Sequence, residues 1–129
     1  MTAGLVWEEL WDGLNDFYVV LVSQLAACNE RLSGRVSHQE TRVFPFTGYV
    51  SISRDGSGDE DLVLEWAVQR RDDRLRVTAD IARGDGMVLA ELPAGEFVEP
   101  VEHSRIVEEQ ERAVRFFRSH LELIKQEVC

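Results

Sequence analysis

Between Leu62 and Leu92 the chain places apolar residues on every second position, in three successive runs. Leu62, Leu64, Trp66 and Val68 make the first run, Leu75, Val77, Ala79 and Ile81 the second, and Val88, Ala90 and Leu92 the third. A period of two sends alternate side chains to opposite faces of a strand, so each run predicts a half-buried β-strand. The short gaps between runs leave room only for tight turns. The region therefore reads as an antiparallel meander.

The turns sharpen that expectation. With Asp72-Asp73 as a two-residue loop, Arg71 faces Arg74, Leu64 faces Ile81, Trp66 faces Ala79 and Val68 faces Val77. With Gly84-Asp85 as the next loop, Ile81 faces Val88, Ala79 faces Ala90 and Val77 faces Leu92. Both registers match apolar against apolar, and a one-residue slip would break every pair. An earlier strand falls within residues 42–54, where Val50 and Ile52 face the core and Tyr49, Ser51 and Ser53 point the other way. Pro45 makes the approach to that strand an edge or irregular. Residues 34–41, which include His38, are polar and read as a linker.

Two helices flank the meander. Trp7, Leu10, Trp11, Leu14, Phe17, Leu21, Leu25, Cys28 and Leu32 recur at three- and four-residue steps, predicting a helix over about 5–32 that Gly34 ends. Tyr18, Val19, Val20 and Val22 widen its apolar surface around most of the circumference. After Pro93-Ala94-Gly95, which reads as the end of the sheet, a second helix is expected over about 101–127. Its seam is Val107, Val114, Phe117, Leu121, Ile124 and Val128, with Gln110 in a gap. The expected fold class is α+β with element order α-β-β-β-β-α: strands within 42–54, 62–70, 74–83 and 86–92, and both long terminal helices on one face of a single antiparallel meander sheet.

The chain has 129 residues, 44% of them hydrophobic, which suits one domain spanning 1–129. Fourteen basic residues against 24 acidic ones give a net charge of −10. Nucleic acid and anionic membrane are therefore not expected partners. The longest apolar run, Phe17 to Val22, is far too short to span a bilayer, and no leader with a cleavage site is evident, so a cytoplasmic location is expected. Cys28 and Cys129 do not suggest a disulfide framework, and Cys28 reads as a small buried hydrophobe.

Catalytic and ligand motifs are weak. Asp55, Ser57, Asp59 and Asp61 alternate as in a calcium loop, but the sixth and twelfth positions are Glu60 and Trp66 rather than Gly and Glu. Arg83-Gly84-Asp85 is read as a turn. His38, His103 and His120 stand at no metal-ligand spacing, so no metal and no cofactor are expected.

One constellation carries weight. On the second face of the sheet, Glu65 lies opposite Asp80, Gln69 opposite Arg76, and Thr78 is expected opposite Glu91, beside Val63, Met87 and Leu89. Facing carboxylates repel unless protonated or bridged, for instance by Arg76.

Three functional readings follow. The first is a small acidic, non-catalytic protein-interaction module of the adaptor, chaperone or toxin-neutralising kind. It would meet a protein partner, a basic one being suited by its acidity, and form a homodimer through the first helix. Its surface residues would be Trp7, Trp11, Tyr18, Glu65, Gln69, Arg76, Thr78 and Glu91. The second is a ligand-binding protein with a pocket lined by Trp66, Phe117 and Tyr18. The third is an enzyme using Glu65, Asp80 and Arg76.

Overall fold

The structure is a computed structural model and describes residues 6–129. The elements are helix α1 (Trp7–Ala26), strands β1 (Ser33–Gln39), β2 (Phe46–Ser53), β3 (Leu62–Arg71), β4 (Arg74–Arg83) and β5 (Val88–Val98), then helices α2 (His103–Ser119) and α3 (Leu121–Val128). The strands form one antiparallel sheet in the order β1-β2-β3-β4-β5, a meander with an additional strand at its start. All three helices pack on one face: α1 over β1 and β2, α2 over β3 to β5, and α3 over β3. The α+β class and the helix–sheet–helix order follow the sequence-based expectation.

The centre of the sheet has the register that the alternation predicts. Leu64 pairs with Ile81, Trp66 with Ala79 and Val68 with Val77, and Arg71 meets Arg74 across Asp72-Asp73. Asp72 takes φ 57°, the left-handed conformation that a two-residue hairpin turn requires and that Asp tolerates. Trp66, Phe46, Tyr18 and Phe117 are fully buried beside Leu10, Leu14, Leu64 and Ile81. Tyr18 donates its hydroxyl hydrogen to the Gly48 carbonyl at 3.1 Å.

Several expectations need correcting. The first helix stops at Ala26 rather than Leu32, and its expected start at Leu5 lies outside the described residues. Asn29 turns the chain: its Oδ1 accepts from the Arg31 N–H, and its Nδ2 donates to the carbonyls of Arg54 and Val128. Local side-chain bonding of this kind competes with helix. The supposed linker at 34–41 is mostly β1. Its alternation is hidden because an edge strand buries little, and only Val36 packs into the core while Arg35 and Gln39 are exposed.

Strand β5 continues through Pro93 to Val98. Val77 pairs with Gly95 and Ala79 with Leu92, which leaves Pro93 and Ala94 opposite the single residue Thr78. A bulge on an edge strand is where proline is tolerated. The β4–β5 turn spans four residues, with Gly86 at φ 93° and Arg83 donating to the Met87 carbonyl. Together with a bulge at Leu89 it moves the expected register by two residues, to Ile81 with Ala90 and Ala79 with Leu92. That bulge places Val88 opposite Ala82, so Val88 leaves the core face and is 51% exposed, whereas Leu89 packs against the core.

The single C-terminal helix is two. Ser119 Oγ donates to the Phe116 carbonyl and His120 Nδ1 lies 2.8 Å from the same oxygen, while the His120 N–H bonds Phe117 instead. Side chains thus occupy the acceptor that would have continued the helix. The buried row of α2 is Ile106, Gln110, Ala113, Phe116 and Phe117, rotated from the expected Val107–Val114 line. Gln110 Nε2 reaches the Leu10 carbonyl at 2.5 Å and ties α2 to α1.

The cysteines also overturn their reading. Cys28 lies exposed beyond the end of α1 and forms a disulfide with Cys129, their Cα atoms 5.6 Å apart.

Candidate protein-binding face

With every helix on one side, the other side of the sheet carries no helix among the described residues. One row of side chains crosses all five strands there. Ser37 pairs with Tyr49, Tyr49 with Glu65, Glu65 with Asp80 and Asp80 with Glu91. Three carboxylates therefore stand side by side on β3, β4 and β5. The neighbouring Gln69 pairs with Arg76, and Arg76 with Glu96. Ser51 and Ala67 are small and sink below taller neighbours, so the face has relief.

The carboxylates sit in an unfavourable setting. Partial burial pushes the Glu65 carboxyl above its ordinary range, and the facing Asp80 charge pushes it further. Asp80 is raised first by burial and then by Glu91. No guanidinium bridges the pair: Arg76 Nη1 meets Glu96 Oε1 at 3.3 Å, so the bridging role considered for Arg76 is not the one it fills. Tyr18 lies on the core side, its hydroxyl held far toward the protonated form by burial and then by the charges of Glu65 and Asp80. Around Asp80 a shallow hollow of about 340 Å³ is lined by Arg76, Thr78, Glu91, Leu92 and Pro93.

The remaining site residues separate. Glu65, Asp80, Glu91, Gln69, Arg76 and Thr78 share the open face, but the longer β4–β5 turn and the Leu89 bulge move the register, so Glu91 pairs with Asp80 rather than with Thr78. Trp7 and Trp11 belong to the opposite side. Trp7 stacks on Phe46 at 6.1 Å, and Trp11 meets His38 at 4.4 Å. Sequence reasoning missed Ser37 and Tyr49, whose place in the row depends on β1 and on the β2 register. It also missed Glu96, which the bulge brings to Arg76.

For chemistry, acid–base pairs are recognised by environments that drive two pKa values apart. Here Glu65 and Asp80 are driven the same way by the same cause. Trp66, Phe117 and Tyr18, the lining expected of a sheet–helix pocket, are fully buried and packed with other rings; Tyr18 lies 6.1 Å from Phe117. Among the described residues no group of three or more His, Cys, Asp or Glu is arranged to hold a metal ion. The acidic loop closes on itself: the Ser57 hydroxyl, then the Ser57 N–H and Ser53 Oγ, favour the ionised Asp55 carboxyl and lower it to about 2. Arg83 of the Arg-Gly-Asp turn is held by Glu127 at 2.9 Å. His103 pairs with Glu9 at 3.1 Å, and His120 lies against Phe116.

No described helix is long and apolar enough to cross a membrane. Compared with models of known families, with curated proteins and with solved structures, the chain matches none of them.

Proposed function

We propose that the chain is a small acidic protein-interaction module without catalytic activity, and that it receives a basic protein partner on the open face of its sheet. The observation that carries this reading is the Glu65–Asp80–Glu91 row. Within it the half-buried Glu65 and Asp80, each raised by burial and then by the carboxylate facing it, favour a neighbour that brings positive charge. The net charge of −10 would steer such a partner from a distance. The module also forms a homodimer through its first helix, supported by Val19, which is 52% exposed. We place it in the cytoplasm. There the Cys28–Cys129 pair would rest as thiols, closing to the disulfide under oxidising conditions.

The test is capture from an extract of the source cells by wild type and by the triple variant E65Q/D80N/E91Q. The reading expects a basic protein that wild type retains, that rising salt releases and that the triple variant fails to hold. A partner retained equally by the triple variant would refute it.

A further inference from the structure

The two edges of the sheet differ in how they are guarded. Unpaired edge strands template association, and proteins blunt them with proline, bulges or short length. Strand β5 has two bulges, and Pro93 lies in one of them. Strand β1 has neither: all seven of its residues pair with β2 in continuous register. Among the described residues, no backbone group of Ser33–Gln39 has a partner beyond β2.

Helix α1 brings apolar surface to the same edge. A Cβ on Gly34 would strike Val22, and Trp11 lies against His38, so Val22 and Trp11 mark the side of the helix above β1. At about 100° per residue, Asn15 and Val19 share that side. Val19 is more than half exposed there, while Val20 faces the groove toward α2.

We infer that the open edge of β1 is an isologous interface with a second copy of this chain, joining two five-stranded sheets into one. This rests on the homodimer reading above and gives it a location and a register. With Val36 opposite Val36 of the second copy, Ser33 faces Gln39, Gly34 faces His38 and Arg35 faces Ser37. All seven residues pair and no like charges meet. Centring the pairing on Arg35 instead would set two guanidiniums face to face, which is unfavourable in an antiparallel ladder. This register keeps both α1 helices on one face of the joined sheet, where Val19 and Val22 flank the twofold axis. The helix contact is a necessary part of the interface, because a seven-residue edge alone falls short of the roughly 800 Å² per partner typical of stable association.

The register makes opposite predictions for one position. Ser37 lies on the open face, away from the helical layer, and its replacement leaves the core untouched. The S37E variant sets a carboxylate against Arg35 of the second copy twice per dimer; S37R sets arginine against arginine. Sedimentation of the full-length chain across micromolar concentrations should give a mass near twice 14.7 kDa. The S37E variant should tighten the dimer by about 2- to 30-fold and S37R should loosen it by a similar factor. V19E should dissociate it and V20E should leave it intact, with circular dichroism confirming that each variant is folded. A monomer at every concentration overturns both the interface and the homodimer. A dimer indifferent to S37E, S37R and V19E, or broken by V20E instead, overturns the β1 interface while the homodimer stands.

Discussion

The two faces of this sheet are built from the same strands yet obey different rules. On the helix side Leu64, Trp66, Ile81 and Val50 are fully buried, and volume decides what fits. On the other side Glu65 and Asp80 are half-buried and face each other, and among the described residues no arginine or lysine forms an ion pair with either. The first face is optimised for the fold. The second carries repulsion that the fold does not need, and such conflicts mark surfaces kept for another purpose.

The contrast is broken most forcefully from the core. Trp66→Ala should lower unfolding free energy by about 3–5 kcal/mol, because a large cavity opens beneath both helices. Val63→Ala, three residues earlier on the same strand but on the open face, should cost about 1 kcal/mol or less. Urea unfolding monitored by circular dichroism measures both, and equal costs would mean the two faces are not distinct.

The disulfide comes next. Cys28 and Cys129 are 101 residues apart in sequence, so closing them constrains nearly the whole unfolded chain. Reduction should lower stability by about 2–4 kcal/mol, with the sheet retained. A thermal melt with and without reductant reads this directly.

Smaller again is Gln110→Ala, which removes the bond from α2 to the Leu10 carbonyl inside the helical layer. The expected loss is about 1–2 kcal/mol. Smallest, and opposite in sign, is Glu65→Gln. Removing one of two facing charges should raise stability by up to about 1 kcal/mol.

How legible this was depended on how strongly each segment was constrained. The β3–β4 register could be read because a one-residue slip would have exposed Trp66 and Val77 together. The β4–β5 register could not, because a shift of two preserves parity and alternation is blind to it. What fixed it was the Gly86 turn and the Leu89 bulge, local backbone features without periodicity. Strand β1 was invisible for a related reason: an edge buries so little that its side chains need not alternate. Of the candidate site, the Glu65–Asp80 pair lay within the readable register. Tyr49 and Ser37 lay beyond it, and Glu91 reached Asp80 only through the longer turn and the Leu89 bulge. The break at His120 escaped because the seam of apolar residues runs on through it.

The pH dependence of stability tests the contrast between the faces most directly. Glu65 and Asp80 titrate above their ordinary range in the folded chain, so the folded state holds their protons more tightly than the unfolded state does. Stability should fall as pH rises from the ordinary carboxylate range through those raised values. Asp55, held at about 2, contributes nothing to the slope above about pH 5, where it is ionised in both states. Unfolding free energy measured from about pH 5 to pH 8 should therefore decline in wild type and flatten in E65Q/D80N, with the variant more stable at pH 8. Superimposable profiles, or a variant less stable at neutral pH, would contradict the claim that the open face carries its carboxylates at the expense of the fold.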